Sequence, residues 1–135
     1  MINPIEHTRT RESAQKYKVE PYVIPADVYG SANLAGRGGW TWYTGSSSWF
    51  YVAGIEYVLG MKISNNILSF NPCVPKDWKE FSIRYKFVDS IYNINIYNPY
   101  GKNTGVSKVT LNGTDIKNEI NLDGSGNIFN VEIEI

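Results

Sequence analysis

The spacing of the apolar residues changes near residue 60. Residues 30–39 predict a loop, and the stretch from Gly36 to Gly60, GRGGWTWYTGSSSWFYVAGIEYVLG, leads through three aromatic residues into helical spacing. Residues 46–59 contain no proline and a single charge, Glu56. A helix that is apolar almost all round must be covered, so the pattern predicts a buried helix that ends near Gly60, with a buried Glu56 tied to an arginine or a backbone donor.

After residue 61 apolar and polar residues alternate with a period of two, which is typical of strands with one face on a core and one face in water. The alternating segments are residues 81–87, 92–96, 108–111 and 129–135. Turn signals separate them at residues 89–90, 98–101, 112–113 and 123–126. Short strands joined by polar turns predict an antiparallel β-sandwich.

The change of period predicts two domains, residues 1–60 and residues 61–135, and an α+β fold class. In the first domain, Thr8 or Thr10 can cap a short helix that runs through Lys16, because the residues between them are good helix formers. The second domain has about 75 residues by these boundaries, which is near the lower limit for a self-sufficient core. We therefore expect the apolar helix to cover part of its core.

Composition narrows the function classes. The chain has 135 residues and no net charge, so nothing favours a nucleic acid or a membrane surface as partner. We see no basic-then-apolar leader and no apolar run of bilayer length, so we expect a cytoplasmic protein. The single cysteine, Cys73, permits no internal disulfide, and we interpret it as a small buried thiol.

The start of the apolar helix carries the candidate chemistry. Thr44 stands where an N-cap belongs, and the helix start would present the amides of residues 45–47 beside three hydroxyls. Such a helix N-terminus is favourable for an anion. Trp40 and Trp42 lie just before it, and indole rings suit the C–H faces of a sugar. The sequence therefore predicts an anion site next to a sugar site.

No catalytic machinery is recognisable, so we name no catalytic residue and no metal ligand. His7 is the only histidine, and no nucleophile elbow or zinc spacing accompanies it. Two roles stay open for His7: a structural hydrogen bond, which we favour, and a ligand contact. Glu20, Asp27 and Glu56 lie in the aromatic half and could reach a site, but they form no recognisable pair.

Long segments of the chain resemble the C-terminal part of glycoside hydrolase family 94, also classified as glycosyltransferase family 36. They are YKVEPYVIPADVYG, GRGGWTWYTGSSSW and LGM followed by NPCVPKDW. The resemblance runs from about residue 3 to residue 111. The family contains cellobiose, chitobiose and β-1,2-oligoglucan phosphorylases and cyclic β-1,2-glucan synthases. The resemblance implies the last helices of an (α/α)6 catalytic barrel over residues 1–60, followed by a small antiparallel β-sandwich over residues 61–135.

The resemblance also implies roles for individual residues. Family phosphorylases hold phosphate partly with a Thr-Gly pair that follows a tryptophan, and Thr44 and Gly45 match that pair. Substrate contacts are implied for four residues: Glu20, Arg37, Trp40 and Trp42. For Arg37 two roles stay open, a contact with substrate and a brace for the loop. Inorganic phosphate would be a co-substrate, and no other cofactor is expected.

Two departures from the family pattern limit what the chain can do. It lacks the G-x-D-W-N-D motif that carries the catalytic acid, and the upstream Arg and His of the phosphate site. The sequence therefore reads as though it starts inside the barrel. Cellobiose-type members carry a glutamine where Ala26 stands, and PADVYG and GRGGWTWYTG are closer to the β-1,2-glucan branch. We expect a parent enzyme that does not act on cellobiose.

These features favour a C-terminal fragment of an inverting glycoside phosphorylase or glucan-processing glycosyltransferase, inactive alone. Its expected partners are phosphate, a β-glucan oligosaccharide or glucose 1-phosphate, and either an upstream catalytic segment or a second copy, since barrel helices without neighbours expose apolar surface. Two alternatives stay open: a non-catalytic carbohydrate-binding or assembly module, and an inactive remnant.

Overall fold

The computed structural model describes residues 3–20, 23–42 and 44–135, except for the side chain of Thr44. The chain forms two compact units that divide between Tyr51 and Val52. The domain boundary after residue 60 stays a prediction. No helix in the described ranges is long and apolar enough to cross a membrane.

In the described part of the first sixty residues lie three α-helices and a π-helix. The helices are α1 (Pro4–His7), α2 (Arg11–Tyr17), α3 (Thr44–Val52) and a π-helix (Ala53–Val58). A short ribbon lies between α2 and α3, formed by β1 (Asp27–Val28) and β2 (Gly38–Gly39). The remaining strands are β3 (Met61–Ser64), β4 (Ile67–Phe70), β5 (Glu80–Phe87), β6 (Ser90–Tyr97), β7 (Lys108–Leu111), β8 (Thr114–Ile116), β9 (Ile120–Asn121) and β10 (Ile128–Glu134).

The predicted short helix is confirmed as α2, and Thr10 is its cap. The Thr10 hydroxyl accepts from the Ser13 amide at 3.2 Å, and the Ser13 hydroxyl accepts from the Thr10 amide at 3.1 Å. These reciprocal bonds satisfy two of the donors that a helix start leaves unpaired. Lys18 ends the helix in the left-handed region, with φ of 54°.

Tyr17 is a fully buried aromatic residue of the first unit. Its ring stacks on His7 with centroids 4.6 Å apart. The Tyr17 hydroxyl is buried without a hydrogen-bond partner among the described residues. Burial raises the pKa of this hydroxyl above its ordinary value of 10.0, because the charged phenolate would lose its hydration.

The second unit is a sandwich of two sheets around one apolar core. One sheet has five strands in the order β5-β6-β10-β7-β8, and the other has three in the order β3-β4-β9. Side chains from both sheets meet in a single cluster, which includes Leu68 and Phe70 from the smaller sheet and Tyr92, Ile94 and Ile133 from the larger. The alternation predicted for residues 92–96 is confirmed, because every second side chain of β6 is buried.

The prediction of a wholly antiparallel sandwich is wrong at one pairing. β10 runs parallel to β6, with Ile128 opposite Ile91 and Glu134 opposite Tyr97, whereas the other pairs are antiparallel. The alternation of apolar side chains is the same for both strand directions, so the sequence pattern does not distinguish them.

The prediction of a buried helix is also wrong for this chain. Trp49 is 73% exposed and Tyr51 71% exposed, and Tyr57 in the following π-helix is 63% exposed. Glu56, expected to be buried, is exposed as well, and so is Cys73. The apolar pattern of a helix indicates that it needs a cover, but it does not say whether the same chain supplies that cover.

We predict that replacing Tyr17 with phenylalanine flattens the alkaline loss of stability. The raised pKa in the folded protein favours folding below pH about 10, and this contribution is lost as pH rises through the folded-state pKa. Tyr17→Phe removes the titrating hydroxyl, so its free energy of unfolding at neutral pH should be equal or higher, because an unpaired buried hydroxyl costs about 1–3 kcal/mol. Urea unfolding between pH 7 and 11 tests this. A steeper alkaline loss in the variant would contradict it.

We further predict that the exposed aromatic face of α3 drives self-association, as expected from the sequence. Trp49→Glu should shift the chain toward monomer in sedimentation velocity, because a charge in an apolar interface costs free energy. Ser47→Glu, on an exposed serine of the same helix, is the matched control and should leave the distribution unchanged. A wild-type chain that stays monomeric at high concentration would overturn this prediction.

Candidate functional site

A β-ribbon holds the glycine-rich run that was predicted to be a loop. β1 and β2 pair antiparallel, with Asp27 opposite Gly39 and Val28 opposite Gly38. The ribbon continues beyond these residues. The Ala26 amide donates to the Trp40 carbonyl at 3.0 Å, and the Tyr29 amide donates to the Arg37 carbonyl at 2.9 Å. The backbone that leads into the tryptophans is therefore fixed by hydrogen bonds.

Both glycines of β2 are buried where a side chain would not fit. A Cβ at Gly38 would collide with Val19 and lie 3.0 Å from the Tyr17 ring. A Cβ at Gly39 would collide with the side chains of Asp27 and Tyr29. The run of glycines thus reflects the close approach of this strand to its neighbours.

Trp40 and Trp42 follow the ribbon in an unusual backbone conformation. Their φ angles are 51° and 64°, in the left-handed region that bulky residues rarely adopt. Such a residue costs about 1–3 kcal/mol, and strain of this kind concentrates at ligand sites. Their side chains are 69% and 63% exposed. The backbone therefore presents two large aromatic surfaces immediately before α3.

Helix α3 begins at Thr44, the residue expected to be its cap. Tyr43 and the side chain of Thr44 lie outside the described residues. Gly45 is exposed, and a Cβ there would meet no atom within 4 Å. The first turn carries no acidic residue, so no carboxylate of this turn competes for the positive end of the helix dipole. The arrangement can bind an anion at the helix start beside an aromatic platform.

Arg37, for which a substrate contact or a brace for the loop was expected, lies near two lysines. It lines a hollow of about 320 Å³ together with Lys16 and Lys18, and residues 32–35 complete the wall. No ion pair involving these three cations occurs in the described part of the chain. The hollow has no acidic lining residue, so it is a second place where an anion could bind.

Sequence reasoning missed Lys16 and Lys18, because only the fold brings them next to Arg37.

Glu20 is half-buried, and its backbone carbonyl accepts from the Val23 amide at 3.1 Å. Glu20 is not among the residues that line the hollow. In the described ranges no group of three or more histidine, cysteine, aspartate or glutamate side chains could hold a metal ion.

Comparison with protein families divides the chain in two. Residues 1–60 match the family model described as the glycosyl hydrolase 94 superfamily, catalytic domain. Residues 61–124 match the model of the glycosyl hydrolase family 65, C-terminal domain. The candidate site lies within the first match, and the sandwich accounts for the second.

Individual relatives agree with these matches. Cyclic β-(1,2)-glucan synthase NdvB of Rhizobium meliloti is 39% identical over 118 residues, which is 87% of this chain and 4% of the relative. N,N'-diacetylchitobiose phosphorylase of Vibrio proteolyticus is 35% identical over 78% of this chain and 13% of the relative. Solabiose phosphorylase of Paenibacillus borealis is 29% identical over 86% of this chain and 15% of the relative. The chain therefore spans a small part of each relative's length.

We predict that Gly38→Ala destabilises the first unit by about 1–3 kcal/mol, because the added methyl group overpacks against Val19 and Tyr17. Gly30→Ala is the matched control, since a Cβ there meets nothing within 4 Å, and it should be neutral or slightly stabilising. Urea unfolding followed by tryptophan fluorescence measures both. Equal stabilities for the two variants would show that the close approach at β2 does not constrain the ribbon.

Proposed function

The chain belongs to the glycosyl hydrolase 94 superfamily, and we propose that it is the C-terminal segment of an inverting glycoside phosphorylase or glucan-processing glycosyltransferase. It supplies phosphate and sugar contacts but not the catalytic acid. The observation that carries this proposal is the start of α3, where Gly45 is exposed, soon after two exposed tryptophans.

In this proposal the oxyanion sits at the first turn of α3. The backbone amides of Gly45 and Ser47 donate to it, and the Thr44 hydroxyl adds a further hydrogen bond. The helix dipole favours the negative charge in the same direction. Because phosphate is already an anion, its attack on a glycosidic carbon needs no general base. The amides therefore position the nucleophile without changing its protonation.

The sugar lies on the aromatic side of the same site. Trp40 and Trp42 offer indole faces to the C–H surface of a glucosyl unit, while Glu20 and Arg37 would bind its hydroxyls. We propose a β-1,2-linked glucan as substrate. The 39% identity to a cyclic β-(1,2)-glucan synthase supports this choice, and so does Ala26, which stands where cellobiose-type members carry a glutamine.

The leaving oxygen must be protonated, because an alkoxide is a poor leaving group. We propose that the proton donor lies on polypeptide outside these 135 residues. The chain alone would then bind phosphate and sugar without catalysing phosphorolysis. The exposed aromatic face of α3 is the surface on which the missing part of the catalytic domain would pack.

We predict that inorganic phosphate binds the isolated chain at the start of α3. In a nitrogen-15 amide spectrum, millimolar phosphate should shift the Gly45 and Ser47 signals saturably. Thr44→Ala should weaken binding about fivefold, because a hydrogen bond to a charged group contributes about 1 kcal/mol or more. Ser48→Ala, one turn into the helix, should bind phosphate as the wild type does.

Two results would overturn the proposal. Phosphate shifts confined to the hollow of Lys16, Lys18 and Arg37 would place the anion away from α3. Release of glucose 1-phosphate from β-1,2-glucobiose by the purified chain would contradict the absence of the proton donor.

A further inference from the structure

The outer face of the five-stranded sheet carries a row of polar side chains beside one exposed aromatic ring. Since Tyr92, Ile94 and Ile96 of β6 are buried, Asn95 and Tyr97 point to the opposite face. Tyr97 is 40% exposed and is the last residue of its strand. The strand register then sets which side chains surround it.

Two cross-strand rows follow from this register. In one row Tyr97 lies between Glu80 of β5 and Glu134 of β10. In the next row Glu132 of β10 lies opposite Thr110 of β7. Cross-strand neighbours on one face are close enough for a single small ligand to reach several of them.

A hollow lies on each side of Tyr97. The first, of about 190 Å³, is lined by Tyr97, Lys108, Thr110, Glu132 and Glu134 together with Ile133. The second, of about 270 Å³, is lined by Tyr97, Glu80, Ser82 and Asn95 together with Phe81. The tyrosine is the wall that both hollows share, so a ligand filling both would cross its ring.

The hydroxyl of Thr110 is the strongest indication of a ligand site. Thr110 is 7% exposed, and its hydroxyl oxygen is buried without a hydrogen-bond partner among the described residues. Leaving such a group unpaired costs about 1–3 kcal/mol. The same residue lines the smaller hollow, where a ligand hydroxyl could satisfy it.

The charges around the hollows argue against an anionic ligand. Lys108 is paired with Asp115 at 3.1 Å, so its positive charge is already compensated. Glu134 accepts from the Ser107 hydroxyl at 3.1 Å, and the Glu132 carboxylate has no partner in the described part of the chain. These carboxylates can accept hydrogen bonds from hydroxyl groups and would repel an anion.

We infer that this face is a binding site for a neutral oligosaccharide, with two adjacent sugar units on either side of Tyr97. The ring of Tyr97 packs against the C–H faces of the sugars. Glu132 and Glu134 accept from hydroxyls of one unit, and Thr110 is satisfied by the same unit. Ser82 and Asn95 bind the other. This site lies wholly within the second unit and goes beyond the function proposed for the first.

The test is a titration of the nitrogen-15 labelled chain with neutral gluco-tetrasaccharides that have β-1,2, β-1,3 or β-1,4 linkages. At least one should shift the amide signals of Tyr97, Thr110 and Glu132 saturably at millimolar concentration. Tyr97→Ala should weaken this binding about tenfold or more, because the stacking surface is removed. Tyr100→Ala, an exposed tyrosine that lines neither hollow, is the matched control and should bind as the wild type does.

Thr110→Val separates a ligand role from a structural role. It keeps the shape of the side chain and removes the unpaired hydroxyl, so the free energy of unfolding should be unchanged or higher. The affinity for the saccharide should nevertheless fall about fivefold, which is about 1 kcal/mol. A variant that binds saccharide as tightly as the wild type would overturn the role assigned to Thr110.

Three further outcomes would overturn the inference. Sheet signals that stay unmoved with all three tetrasaccharides up to tens of millimolar would contradict it. Shifts confined to the indole signals of Trp40 and Trp42 would place sugar in the first unit alone. Binding of tetralysine in place of every saccharide would identify the face as an acidic peptide surface.

Discussion

The candidate site depends on how closely one strand approaches its neighbours. At Gly38 and Gly39 the backbone of β2 is so near to Val19 and to the Asp27 and Tyr29 side chains that no Cβ fits. This contact holds the ribbon in register, and the Ala26–Trp40 hydrogen bond extends it into the aromatic segment. Next along the chain come the two tryptophans with left-handed backbone and then the start of α3. The backbone packing at these two glycines therefore positions the strand from which the chain leads to α3.

A different constraint organises the second unit. β6 lies between β5 and β10, and its alternating side chains divide the sheet into a buried apolar face and a polar outer face. The same register that buries Ile94 and Ile96 assigns Tyr97 to the outer face of the sheet, where Thr110 lies opposite Glu132. Two units with separate cores thus offer two separate surfaces, one suited to an anion beside aromatic rings and the other suited to hydroxyl groups.

Sequence patterns predicted four strands of the second unit and the start of α3, but not β3, β4, β8 and β9, nor which segments become neighbours. The alternation in residues 92–96 predicted β6, yet the parallel partner β10 was not predictable, because alternation is independent of strand direction. A cap at Thr8 or Thr10 and a helix from Thr44 were predicted from local chemistry. The exposure of Trp49 and the meeting of Lys16 with Arg37 were not, since both depend on which segments the fold brings together.

The most direct measurement of the central claim is a crystal structure of the chain with phosphate and β-1,2-glucobiose. The account predicts a phosphate oxygen at hydrogen-bond distance, about 2.7–3.2 Å, from the Gly45 amide nitrogen, and a glucosyl ring against Trp40 or Trp42. A phosphate held instead by Lys16, Lys18 and Arg37, with the first turn of α3 unoccupied, would contradict it.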